Sequence, residues 1–313
     1  MKTKFKGLKT ILLSLFVMAL WGSLYPFVKI GYIAFEIDGT DIPSILMFAG
    51  VRFAICGLIM CIIAFFKKDK IEAPKTKTIG VILLIGLFSI ILHYSFTYVG
   101  LSSTDSSKTA LIKQIGALLY VCFAFLFFKS EKFSVFKIVG AVIGFLGIVA
   151  INFNPNGITF TLGDVLIILA SICIVVSNIL NKAIAKNNSP FWINGVSQFF
   201  GGAVLIIVAF CMGGSMLNFN FKSALVFSYI CTASMIGYVL WNYVLKSCDL
   251  SNLFIIKFAE PLFACLFSAI LLNENILKWE YLISFVLISI GIILGNHTNK
   301  EKVNKIENES EDF

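Results

Sequence analysis

The sequence predicts an all-α integral membrane protein of ten transmembrane helices, arranged as two inverted five-helix repeats. Three observations predict it: an apolar composition, a lopsided placement of cations between the apolar runs, and a repeat at one fixed offset. Of 313 residues, 58% are hydrophobic and 13% charged, with a mean hydropathy of +0.93. Soluble domains are about half apolar and a quarter charged. The 32 phenylalanines would be hard to bury in a soluble core of this length, whereas lipid tails solvate them without penalty.

A span needs about 17 to 25 mostly apolar residues, and such runs lie near 9–33, 45–66, 79–99, 106–128, 134–151, 162–181, 191–211, 224–245, 252–272 and 279–296. The first begins as a signal peptide would, basic and then apolar. Its apolar run continues to about Phe35 without a small-x-small cleavage site, so it reads as a retained span. The fourth starts after Asp105, a candidate helix cap. The fifth and tenth are short and carry Gly140/Gly144 and Gly291/Gly295, a spacing that permits close helix packing.

Cation placement orients the chain. With the N-terminus inside, 18 lysines fall in inner segments and three outside: Lys108, Lys222 and Lys278. That bias predicts both termini in the cytoplasm, an even number of spans and a multi-pass plasma-membrane location. Four cations remain within spans: Lys29, Arg52, Lys113 and Lys257.

An offset of 144 residues places Leu101 on Leu245, Asp105 on Asp249, Lys113 on Lys257 and Gly147 on Gly291. The fourth span thus falls on the ninth and the fifth on the tenth, and Glu131 and Glu274 match one residue out of register. Five helices are an odd number, so the second copy crosses in the opposite sense, as in many secondary transporters. The chain divides into a first repeat at 1–151, a second at 152–297 and a charged tail at 298–313, expected to be mobile.

The stretches "ALWGSLYPFVK", "VRFAICGLI", "FAEPLFACLFSAILLNENI" and "SIGIILG" resemble EamA-type members of the drug/metabolite transporter superfamily. The resemblance covers nearly the whole chain. It implies a ten-helix carrier. Within the spans, Lys113, Lys257 and Arg52 outnumber the acid Glu260, which favours secondary-active export of a small polar metabolite, an amino acid or organic anion; the alternatives are an exporter of drug-like or cationic compounds and, last, an integral membrane enzyme. Where the family often has Glu-Pro in both helix 4 and helix 9, this chain has Glu260-Pro261 in the ninth and Gly116-Ala117 in the fourth. Lys113 and Lys257 are more loosely similar to the basic residues by which phosphate-translocator relatives hold anionic cargo.

The buried polar groups are the candidate substrate site. At 1.5 Å per residue, Lys113 lies about 10 Å from the outer surface and Lys257 about 8 to 9 Å from the inner one. A charge at the bilayer centre costs at least about 2.5 kcal/mol, so it faces a cavity, a partner or an interface, unless its stem snorkels. Snorkelling or a structural role is the leading reading for Lys29. Glu260, three residues from Lys257, could neutralise it. Arg52 cannot lose its proton; an ion pair with Glu260 or an outer carboxylate and contact with cargo are equal alternatives. His93, like Glu260, is a proton-coupling candidate, against a neutral hydrogen-bonded alternative. Pro26 and Pro261 are candidate helix breaks that free the carbonyls of Gly22 and Lys257. Tyr25, Tyr94, Tyr98, Gln114, Asn178, Tyr238, Trp241 and Asn242 share helices with these charges, which nominates them as lining of a cavity between helices 1, 3, 4, 6, 8 and 9.

Other functions find little purchase. The lysines sit in short runs between apolar segments, which argues against nucleic acid. No Asp-rich motif, H-E-x-x-H, G-x-S-x-G or P-loop occurs. The eight cysteines show no C-x-x-C or metal spacing, so no metal or cofactor is expected. The expected partners are a small-molecule substrate and the lipid bilayer, with no oligomer required.

Overall fold

The computed structural model describes residues 2–67, 76–116, 119, 135–151, 153–154, 157–158, 160–185, 188–247, 259–291 and 293–294. Helices dominate them, in chain order α1 (Lys2–Ala34), α2 (Ile42–Phe66), α3 (Thr78–Ser102), α4 (Ser106–Ile112), α5 (Val135–Ile151), α6 (Leu162–Ala185), α7 (Pro190–Cys211), α8 (Phe221–Ser247), α9 (Ala259–Leu272) and α10 (Trp279–Gly291). A small antiparallel pairing of Phe153–Asn154 with Gly157–Ile158 separates α5 from α6. Among the described residues six helices are long and apolar enough to cross a membrane: α1, α2, α3, α6, α7 and α8. Their outward surface is apolar, with Phe65 70%, Phe210 70% and Ile207 62% exposed, which suits hydrocarbon and not water.

Local chemistry sets the starts and ends. Asp41 caps α2, its side chain accepting from the Ser44 N–H, with Pro43 in the first turn where a missing N–H is harmless. Ser189 and Pro190 do the same for α7. Thr161 and Asp164 cap α6 reciprocally. In the exposed turn before α2, the Thr40 N–H and hydroxyl donate to Asp38 and hold its carboxyl below the usual range.

Two expectations need correction. Lys113 does not lie within a continuous helix: α4 ends at Ile112, and the Gln114 N–H bonds back only three residues, to Leu111 at 3.0 Å. Pro26 is not a break, since α1 runs through it. A proline removes one hydrogen bond, and here the neighbouring turns are held by α8 on one side and α9 on the other. Pro261 lies in α9, and the residues before Ala259, with the Lys257 carbonyl that its break would free, lie outside the described residues.

The helices pair closely where side chains vanish. α2 and α7 cross with Gly50 and Gly57 against Gly195 and Gly202; a Cβ on Gly202 would lie 2.3 Å from the Ala54 nitrogen. The sequence reading did not single out this contact. α5 meets α10 through the expected glycines, a Cβ on Gly291 falling 2.4 Å from the Gly140 carbonyl; Gly295 lies outside the described residues. α1 packs on α8 and α9, and α3 on α6.

α3 contains a π-helical segment, Leu87–Leu92, immediately before His93. Such bulges insert one residue into a helix and often sit beside functional sites. Hydropathy gives no sign of it.

Candidate substrate-binding cavity

The candidate site is a cavity of about 110 Å³ lined by helices from both parts of the chain. Helical spacing explains who lines it. Trp21, Tyr25 and Val28 recur on one face of α1, as do Ser89, His93, Thr97 and Leu101 on α3 and Ile174, Asn178 and Asn181 on α6. Expected lining from α4, α8 and α9 is also present, as Lys113, Gln114, Tyr238, Trp241 and Glu260. α2 and α7 contribute as well, through Arg52 and Asn194, so the expected six-helix lining was too narrow.

One wall is built around Tyr25. Its hydroxyl donates to Glu260 Oε1 at 2.8 Å, while the Lys113 ammonium lies 5.3 Å from its ring centroid. A single tyrosine therefore meets an anion at its edge and a cation over its face, the arrangement its polar tip and ring quadrupole favour. The turn at Lys113 is fixed from α6, where the Ser171 hydroxyl donates to the Lys113 carbonyl at 3.2 Å.

Arg52 forms the second wall. It is 1% exposed and donates to the hydroxyls of Tyr98 and Ser234. Its guanidinium carbon lies 4.6, 5.5 and 5.8 Å from the ring centroids of Phe53, Tyr94 and Tyr98. Among the described residues no carboxylate pairs with it within 4.0 Å. The proposed Arg52 to Glu260 ion pair is absent: Glu260 is turned to Tyr25. Hydroxyl dipoles and ring faces offset the burial of the charge in place of a counter-ion.

The Tyr94 and Tyr238 hydroxyls are hydrogen-bonded at 2.8 Å, joining α3 to α8. His93 Nδ1 is 2.7 Å from the Ala170 carbonyl; a carbonyl only accepts, so Nδ1 carries the proton. Asn242 is buried and donates to the Tyr238 carbonyl at 3.1 Å, behind the lining and not on it. Lys257 lies outside the described residues. Lys29 stands 3.9 Å from Glu274, in keeping with the structural reading.

Asn181, Asn194 and Thr97 were missed. Asn181 continues the α6 face three residues after Asn178, a spacing legible in the sequence; Asn194 could not be found that way, because α7 had been assigned no lining role. Among the described residues, Gln114 Oε1, Asn181 Oδ1 and Thr97 Oγ1 are buried without hydrogen-bond partners. Unsatisfied groups of this kind are costly unless water or a ligand meets them. Among the described residues the cavity thus holds the cations Lys113 and Arg52, the tyrosine-bonded acid Glu260 and three unpartnered groups able to accept a hydrogen bond.

A family model described as the EamA-like transporter family matches the chain twice, over residues 8–153 and 161–296. The chain belongs to that family. This EamA transporter is 25% identical over 296 residues to the uncharacterized transporter YvbV of Bacillus subtilis (strain 168), covering 93% of each chain. It is 22% identical over 291 residues to YoaV of the same organism, also an uncharacterized transporter, covering 90% of this chain and 94% of that one. A crystal structure superposes with a TM-score of 0.66 at 15% identity, covering 94% of this chain and 98% of that one, so the fold is shared. The EamA protein is therefore a multi-pass membrane transporter and not an enzyme.

Proposed function

We propose that this EamA transporter is a secondary-active carrier of a small polar metabolite, an amino acid or organic anion, exporting it across the plasma membrane by alternating access. The observation that carries the reading is the shared cavity itself: among the described residues, Lys113 and Arg52 line it against the one acid Glu260, with the acceptors of Gln114, Asn181 and Thr97 buried without partners. An anionic group would neutralise the excess positive charge, and its donors would satisfy Gln114 and Asn181.

The helix pairing supports two repeats divided near 151, and the lysine bias supports both termini cytoplasmic. If spans one to five correspond to six to ten, the α1–α8 contact corresponds to α6–α3 and the α1–α9 contact to α6–α4, while α2–α7 and α5–α10 map onto themselves; all six pairs occur. Two like halves around a midplane site are the architecture of rocking carriers.

The test is counterflow in proteoliposomes with radiolabelled amino and organic acids. The wild type is expected to saturate and exchange; Lys113→Ala is expected to lose anion flux while folding normally. Unimpaired anion flux in that variant would falsify the assignment. The aromatic wall of Trp21, Tyr94, Tyr238 and Trp241 favours a second reading, an exporter of cationic or drug-like compounds. Quaternary ammonium flux in the same vesicles, unaffected by Lys113→Ala, would select it.

A further inference from the structure

α4 is a seven-residue rod whose first turn is held from far away in the chain. Asp105 occupies its cap position yet makes no side-chain capping bond. Glu274 does that work from the turn between α9 and α10, where the left-handed Asn273 (φ 53°) ends α9. Glu274 Oε1 accepts from the Ser106 N–H at 3.0 Å; Oε2 accepts from the Ser107 N–H at 3.1 Å and the Ser107 hydroxyl at 2.5 Å. Lys29 of α1 is 3.9 Å from the same carboxylate. A second tie reaches α4 from α6, where Asp164 accepts from Lys108 at 2.9 Å. At the other end of the rod, about 10 Å away, Lys113 closes the helix and lines the cavity.

A local cap would survive any movement between the two parts of the chain. A cap borrowed from residue 274 does not. Three hydrogen bonds converging on one carboxylate also break together, which makes their loss a discrete event.

We propose that Glu274 is a positioning residue of transport. It clasps α4 across the two halves, closes the cavity on the side of the loop between α3 and α4, and through the rigid α4 fixes where Lys113 stands toward cargo. This rests on the alternating-access reading: opening on that side must part the α9–α10 turn from α4.

Native Cys265, whose thiol lies beside the Ser107 hydroxyl, reports the clasp. Full-length protein in nanodiscs is treated with a membrane-impermeant methanethiosulfonate, and modification at Cys265 is read by peptide mass spectrometry. Glu274→Gln is expected to raise the rate about tenfold, the change that loss of one charge-assisted hydrogen bond produces. Ser107→Ala, which keeps both N–H bonds, is expected to raise it less. Should Glu274→Gln not fold, Ser107→Ala and Lys29→Met carry the comparison. A glutamate of merely structural value would lower the melting temperature and leave the Cys265 rate of the folded protein unchanged, and that outcome overturns the proposal. Non-saturable flux in the wild type would remove the carrier reading yet leave the modification contrast intact, so the two ideas fail separately.

Discussion

The Tyr25 hydroxyl donates to Glu260 Oε1 at 2.8 Å, across 235 residues of chain. It ties α1 to α9 at the cavity wall and fixes where the Glu260 carboxylate stands beside the ring that faces Lys113. Tyr25→Phe keeps the ring under Lys113 and removes only the donor. A hydrogen bond to a charged group contributes about 1.5–3 kcal/mol, so thermal unfolding is expected to register a loss of that order. Counterflow by the same variant is expected to weaken, because Glu260 is freed to compete with cargo for Lys113. Unchanged unfolding and flux together would mean the contact is incidental.

Arg52 separates charge from geometry. Arg52→Lys retains the cation but offers no planar fork, leaving one of the Tyr98 and Ser234 hydroxyls without its donor. The expected result is a stability loss of about 1–3 kcal/mol with anion flux partly kept. Arg52→Met is expected to abolish the flux. Equal flux in both variants would remove Arg52 from the cargo site.

The α2–α7 crossing predicts a sharp contrast between two glycines. Gly202→Ala places a methyl 2.3 Å from the Ala54 nitrogen and 2.7 Å from the Gly50 carbonyl, so the helices must separate; overpacking of this kind costs about 1–3 kcal/mol. Gly80→Ala meets nothing within 4 Å and is expected to leave the melting temperature unchanged or slightly raised. Equal melting temperatures for the two would refute the close approach.

Lys108 and Asp164 form an ion pair of unequal exposure, 18% and 0% at the side chains. Lys108→Ala strands a fully buried carboxylate whose remaining partner is the Thr161 N–H at 2.9 Å. We expect a destabilisation of about 2 kcal/mol or more, and Asp164→Asn with Lys108→Ala to recover part of it. A double-mutant cycle in detergent measures the coupling; additivity would show that the pair contributes nothing.

Much of this was legible because hydrocarbon imposes simple rules. Apolar runs gave α2, α3, α5, α6, α7 and α8 within a few residues, and buried charges named most of the cavity: Tyr25, Arg52, His93, Tyr94, Tyr98, Lys113, Gln114, Asn178, Tyr238, Trp241 and Glu260 all line it. What escaped was what periodicity does not encode. The end of α4 at Ile112 depends on a single tightened turn, and the role of Glu274 depends on which distant helix start it reaches. Pro26 misled because a proline's effect is set by the packing around it. Asn194 stayed hidden because a lone asparagine on an apolar helix carries no sign of the direction it faces.

The extra residue wound into α3 at Leu87–Leu92 makes that helix tolerant of shortening there and nowhere else. Removing one residue there would restore ordinary winding and leave a run still long enough to span hydrocarbon. The wide turn already absorbs the extra residue, so Ile82 and Ile85 would keep the faces they now bury, whereas a deletion from the regular winding on either side would twist everything upstream by about 100°. Two deletions that look the same by length and hydropathy would thus differ, one leaving the cavity wall in place and the other turning it away.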